Sequence, residues 1–387
     1  MINSQIISQF QKLKTPFYYY DLDLLRQTLS KIKTESEKYG FHVHYAIKAN
    51  ANDEVLKTIF AQGFGADCVS GNEISKVIEH GVPGSGIAFA GVGKTDEEII
   101  TALNHDIFSF NCESLPELEV INNLAGQMGK KASVAIRINP NIDPKTHQYI
   151  TTGLKENKFG INHWEFDKLI ILLQSLQNIQ LTGLHFHIGS QITDINIFKE
   201  LSQKVNTIST WFEKQGLCVQ HINVGGGLGI DYENPAKNPF SDFQAYFKAF
   251  HDHLKLKSGQ ELHVELGRSV VGQCGHLITK ILYVKEGLHK KFLITDAGMT
   301  ELIRPMLYQA KHQINNLTSE KTLQPYDVVG PICESTDIFA RGIELPTSER
   351  GDLLAIHSAG AYGEVMASRY NLRNMVQAVH SDELAKD

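Results

Sequence analysis

No window of the 387-residue sequence approaches the run of apolar residues needed to cross a bilayer. The opening residues, MINSQIISQFQKLK, lack the charged start and unbroken apolar stretch of a secretory leader. Cysteine is scarce. Cys68, Cys112, Cys218, Cys274 and Cys333 are scattered, odd in number and free of CxxC spacing, which excludes a disulfide scaffold and points to reduced thiols in the cytoplasm. There is no surplus of positive charge either. A net charge of −6 removes the electrostatic case for nucleic acid or an anionic membrane as partner. Low-complexity segments, flexible linkers and repeats beyond a β/α alternation are missing, and the string SDEL is followed by AKD, so it is no terminal retention signal. What remains, 42% hydrophobic and 21% charged, is a globular chain with enough residues for two domains.

Eight short β-rich runs alternate with helix-patterned segments up to about residue 270: FHVHYAIKA, GADCVS, GIAFAG, IFSFN, SVAIRIN, LTGLHFHIGS, HINVGGG and LHVELGR. The first amphipathic stretch places Leu25, Leu29 and Ile32 on one face. Ser70 with Glu73, Thr95 with Glu98 and Ser114 with Glu117 have capping-box spacing at helix starts. Strand, short loop and capped helix repeated eight times predict an α/β chain built on a (β/α)8 TIM barrel over residues 24–270. A doubly wound open sheet also needs parallel strands, but the count of eight favours the barrel. From residue 271 to 387 the pattern changes to short β-like runs such as HLITKILYVKE, KFLITDAG, YDVVGPI and DLLAIHSAG, read as a mostly β domain. The strand-like TPFYYYD within residues 1–23 is assigned to that same domain.

Active sites of such barrels gather at the C-terminal strand ends. Here those ends are polar. The first carries Lys48, the sixth His187, Gly189 and Ser190, the seventh Gly225, Gly226 and Gly227, and the eighth Glu265, Gly267 and Arg268. Each has a bland reading. A lone lysine at a strand end is usually a solvated rim charge, a glycine triplet only a tight turn, and a Glu and Arg three apart a weak surface pair. His185 and His187 each read most simply as a core histidine satisfied by a hydrogen bond, and no metal-ligand set is expected. Taken together, the residues suit pyridoxal 5'-phosphate. Its aldehyde needs a lysine amine, its phosphate needs close backbone N–H groups, its ring nitrogen needs a carboxylate, and its ring face can pack on an imidazole.

At these residues the sequence resembles the fold-type III pyridoxal-phosphate decarboxylases, the group with an alanine-racemase-type barrel. YAIKAN, GADCVSGNE, THQYITTGLKENKFGI, HFHIGSQI, NVGGGLGI, ELGR, DAGMTELIRPMLY, GPICESTD and AGAYGEVMASRYN run in order along nearly the whole chain. Leu266 stands where proline is frequent and Lys311 where an aromatic is common, and the chain is somewhat short at its C-terminus; none of these removes a catalytic group. The resemblance implies that Lys48 binds the cofactor covalently, His187 stacks on its ring, and Ser190 with Gly225–Gly227 holds the phosphate. It also implies that Glu265 meets the ring nitrogen and that Gly267, Arg268 and Tyr362 complete the cofactor site. Arg268, Arg304, Tyr308, Glu334 and Tyr362 would bind substrate, and Cys333 would donate a proton. Cys333 and Glu334 are expected to reach into a second copy's site, making a homodimer with shared active sites. The implied reaction is loss of CO2 from meso-2,6-diaminopimelate to give L-lysine. The alternative is a decarboxylase of the same fold acting on ornithine, D-lysine or D-ornithine, arginine or carboxynorspermidine. A racemase on the same barrel and a non-catalytic cofactor carrier are the remaining rivals. From the residues alone, CES at 333–335 reads equally well as a small buried cysteine beside a surface acid.

Overall fold

A computed structural model describes residues 2–143 and 158–384 of the chain. The stretch THQYITTGLKEN, residues 146–157 of one quoted motif, lies outside the described residues. Eight parallel strands close into a barrel: β2 (His42–Ala46), β3 (Gly65–Cys68), β4 (Ile87–Phe89), β5 (Ser109–Cys112), β6 (Ala132–Ile138), β7 (Ile179–Phe186), β8 (His221–Asn223) and β9 (Glu261–Leu266). They coincide with the eight β-rich runs of the sequence. β2 pairs with β9 to shut the barrel, with His42 opposite His263 and His44 opposite Glu265.

A second, eight-stranded sheet gathers β1 (Phe17–Tyr20), β10 (Gly275–Glu286), β11 (Lys291–Thr295), β12 (Ile314–Asn316), β13 (Leu323–Val329), β14 (Ile338–Pro346), β15 (Leu353–Ile356) and β16 (Gln377–His380). β1 lies antiparallel to β10 and parallel to β16, so residues far apart in sequence share one sheet. One face of β1 packs Phe17 and Tyr19 with Phe10, Ile278 and Leu353. Tyr20, on the other face, accepts from Asn50 Nδ2 at 2.8 Å, and Asn50 Nδ2 also donates to Gly360 O at 2.8 Å. Tyr362 N donates to Ala49 O at 2.8 Å. The second sheet is therefore clamped to the turn that carries Lys48.

The helices follow local chemistry. In the helix Leu22–Glu37, Leu25, Leu29 and Ile32 are fully buried, as their spacing requires. Thr95 and Glu98 form a complete capping box. Ser70 and Ser114 also cap their helices, but Glu73 and Glu117 accept from Val69 N (2.7 Å) and Glu113 N (2.6 Å), one residue before the cap. The two glutamates thus tether the incoming strand end instead of closing a box.

Alternation along the strands sends a second set of side chains into the barrel interior. Asp67, Asn111, His185, Asn223 and Glu265 are all 4% exposed or less. Five buried polar side chains at one level of a barrel demand mutual hydrogen bonds. The candidate site supplies them.

Candidate active site

Lys48 sits in the single 3-10 turn Ile47–Ala49 that follows β2. Its Nζ donates to Asp67 Oδ2 at 2.6 Å, and Asp67 rises fully buried from β3. Burial and the nearby charge of Glu265 push the Asp67 carboxyl up to about 6, against the pull of Lys48. Burial opposes the charge on Lys48, but Asp67, Tyr362 and Glu265 outweigh it and hold the amine above its ordinary range.

Glu265, at the end of β9, accepts from Asn223 Nδ2 at 2.8 Å and from Asn111 Nδ2 at 3.1 Å, both on Oε1. Its Oε2 lies 3.1 Å from His185 Nε2. Burial alone would raise this carboxyl, yet His185 first, and then Lys48, hold it well below the usual carboxylate range. The result is a buried, fixed anion at the barrel mouth. His187 lies two residues past His185, just beyond the end of β7, and Gly226 N donates to its Nδ1 at 3.3 Å. Burial, followed by the charges of Arg137 and Lys48, pushes its imidazole well below the ordinary range, so the ring is neutral.

The glycine triplet lies wedged between the ends of β7 and β9. A Cβ on Gly226 would stand 1.9 Å from Glu265 O, and one on Gly225, at φ +67, would stand 2.4 Å from Phe186 O. Side chains are excluded by backbone on both sides, and Asn223 Oδ1 accepts from Gly225 N at 2.9 Å. Gly267 packs likewise on the Lys48 turn, where a Cβ would meet Ala49 and Ala46 at 3.1 and 3.2 Å. Beside the triplet, Arg268 Nη2 and Nε donate to Ser190 Oγ at 3.1 and 3.3 Å, and Nη1 donates to Tyr232 OH at 2.6 Å. The Arg268 guanidinium also lies 4.9 Å from the Tyr362 ring centroid.

Arg304 approaches the other side of Tyr232, 4.9 Å from its ring centroid. Its Nη1 donates to His312 Nε2 at 2.9 Å, a direction set because His312 Nδ1 donates to His357 O at 2.8 Å. Arg304 Nε is buried with no hydrogen-bond partner among the described residues. Burial, with the charge of Arg268, lowers the Arg304 guanidinium below its ordinary range. Arg268, Arg304, Tyr232 and Tyr308 line one cavity of about 820 Å³. Two buried cations, bonded among the described residues only to neutral partners, form a receptor for anions.

These residues fit pyridoxal phosphate: an amine, a fixed carboxylate, a neutral imidazole, and a glycine loop beside Ser190 and Arg268. The orphaned Arg304 Nε leaves a donor for a further anion. Cys333 and Glu334 are not brought into this constellation within one chain. Both are exposed; Cys333 N donates to Asn371 Oδ1 at 3.2 Å, and Glu334 Oε1 accepts from Tyr370 OH at 2.7 Å.

Several participants escape sequence reasoning. Asp67 and Asn111 end strands that were recognised, and Asn223 directly precedes the glycine loop, so period-two alternation would have turned them inward together with Glu265. His185, legible in the sequence only as a possible core histidine, is the partner of Glu265. Tyr232 and His312 carry no local signal at all.

The family description "Pyridoxal-dependent decarboxylase, pyridoxal binding domain" matches residues 23–272. A diaminopimelate decarboxylase of Bacteroides thetaiotaomicron is 55% identical over 379 residues, covering 98% of each chain. The crystal structure of Helicobacter pylori diaminopimelate decarboxylase in complex with L-lysine superposes with a TM-score of 0.91 at 40% identity, over 97% of this chain and 94% of that one. The M. jannaschii diaminopimelate decarboxylase complex with L-lysine gives a TM-score of 0.88 at 36% identity, over 97% and 89%.

Proposed function

We propose, on the premise that the chain belongs to the pyridoxal-dependent decarboxylases, that it releases CO2 from meso-2,6-diaminopimelate and leaves L-lysine. The observation that carries the substrate is the pair of buried guanidiniums, Arg268 and Arg304, on one cavity. A phosphate engages one of them. The other calls for a second anion, which a substrate with a distal carboxylate brings and ornithine or arginine does not.

When bound, pyridoxal phosphate supplies the electron sink for the pair freed as CO2 departs. The chain's residues do the rest. Lys48 would hold the cofactor aldehyde through its amine, which Asp67 steadies by its hydrogen bond. Glu265, held anionic, would keep a proton on the cofactor's ring nitrogen, and His187 would offer it a neutral ring face. Ser190, Gly225, Gly226, Gly227, Gly267 and Arg268 would hold the phosphate end, with Tyr362 packed on Arg268. Arg304 and Tyr308 orient the distal carboxylate. Cys333 Sγ delivers a proton to the Cα that has lost its carboxylate, and Glu334 pairs with the distal ammonium.

Cys333 and Glu334 do this in the site of a second copy. Their exposure in the single chain supports that placement, and the working unit is then a cytoplasmic homodimer. Residues 24–270 form the cofactor-binding unit, and 271–387 with 1–23 the unit that completes the site. The test is CO2 release from meso-diaminopimelate measured against L-ornithine, L-arginine, D-lysine, D-ornithine and carboxynorspermidine. Meso-diaminopimelate should lead by at least about 100-fold, since a buried charged group left unpaired penalises the wrong substrate. A faster rate on any of the others would overturn the assignment.

A further inference from the structure

The barrel has a second polar mouth, at the opposite end from Lys48. There His42 of β2 faces His263 of β9 across the closing seam, and Glu261 lies two residues before His263 on the same face. One ligand atom from each of the three lies within 4.8 Å of the other two. A cavity of about 690 Å³ opens over them. Nothing in the decarboxylation uses these groups: five residues of β2, roughly 16 Å of extended chain, separate this mouth from the Lys48 turn.

The hydrogen bonds decide which nitrogen is bare. His44 Nδ1 lies 3.2 Å from Gly86 O, which can only accept, so that nitrogen carries the hydrogen. In the uncharged ring Nε2 is then a lone pair. His263 Nδ1, 2.9 Å from that Nε2, must then be the donor. This leaves His263 Nε2 without a hydrogen, and it faces Glu261 Oε2 at 3.4 Å. Two acceptors looking at each other repel unless a positive charge lies between them. A proton bridges two atoms only, and here a third ligand atom, from His42, converges on the same point. The cation that suits a bare imidazole nitrogen and a carboxylate is a metal ion.

We propose that His263, Glu261 and His42 bind a divalent first-row transition ion of the zinc type, which ties the first barrel strand to the last. Two imidazoles and a carboxylate, with water in the fourth position, are an ordinary donor set for such an ion. His263 is already oriented by the Nδ1–H bond to His44, the arrangement that usually steadies a ligating imidazole. His42 now stacks on His263 with centroids 4.7 Å apart. Its side chain is 52% exposed, so it can turn its ring toward the shared point at little cost.

The test uses untagged, full-length, cofactor-loaded protein, stripped with a chelator and titrated with Zn²⁺ alone by equilibrium dialysis. One zinc should bind per chain, and Co²⁺ in its place should give d–d bands without a thiolate charge-transfer band. His42→Ala and Glu261→Gln should each weaken zinc binding at least about tenfold, the lower end of what even a supporting residue contributes. Both side chains are about half exposed, 52% and 56%, so the fold survives their loss, which near-ultraviolet circular dichroism verifies. Zinc should raise the thermal midpoint of the wild type and leave that of the double variant unmoved. Failure of the wild type to bind one zinc at micromolar concentration, or equal binding by the variants, overturns the proposal.

Discussion

Replacing Glu265 by glutamine keeps the shape and removes the charge, and the surrounding hydrogen bonds set the cost. The carboxylate accepts two amide donors on Oε1 and faces His185 on Oε2. Glutamine can keep its oxygen toward Asn111 and Asn223 only by turning its NH2 group toward His185 Nε2. His185 must then accept at Nε2 and carry its hydrogen on Nδ1, which is buried with no partner among the described residues. An unsatisfied buried N–H costs about 1–3 kcal/mol. In a domain of this size each kcal/mol is worth about 2–4 °C of melting temperature, so the midpoint should fall by roughly 2–12 °C. The effect on turnover is distinct. Loss of one fixed charge at a dry reaction centre costs about 100-fold or more in kcat, so Glu265→Gln should bind the cofactor, retain its fold at 25 °C and release CO2 at least ~100-fold more slowly. Visible absorbance, thermal unfolding and saturating-substrate kinetics on the same preparation separate the three effects. A cofactor-loaded Glu265→Gln protein with kcat within threefold of wild type would refute the role given to this carboxylate.

Lys48→Ala should abolish both the visible absorbance of the bound cofactor and turnover. Mixed with Cys333→Ala under conditions of subunit exchange, it should regain up to about a quarter of wild-type activity, because half of the dimers are mixed and each holds one intact site; exchange without recovery would place both residues in one chain's site. Arg304→Ala should slow meso-diaminopimelate far more than L-lysine, narrowing the gap between them, and an unchanged diaminopimelate rate would remove Arg304 from the substrate site. Burial raises Glu73 to about 7, so this acid's contribution to stability is present below its unfolded value near 4 and is lost as the pH rises through about 7. Relative to Glu73→Gln, the wild type should therefore melt higher at pH 5 than at pH 8, and a difference independent of pH would contradict the raised value.

The barrel was legible because its signals are short-range. Period-two strands such as LTGLHFHIGS, caps such as Thr95 with Glu98, and the buried stripe Leu25, Leu29, Ile32 each lie within one element. Lys48, the glycine triplet and Glu265 were legible for a related reason, since each sits on a strand end and strand ends of one barrel converge. Which glutamate oxygen meets which helix start was not, and Glu73 and Glu117 tether the residue before the cap because the strand end, folded against the helix, offers its N–H first.

By itself, then, the sequence determined eight strands, their alternation with helices, a polar rim and the chemistry of a pyridoxal-dependent decarboxylase. Only the tertiary structure decided the partners. Asn111 meets Glu265 across 154 residues, His185 meets it across 80, and His44 meets His263 across 219. Such contacts depend on which strands become neighbours and in what register, and no local window carries that information. The same closure of β2 on β9 sets Glu265 near Lys48 at one mouth and gathers His42, Glu261 and His263 at the other.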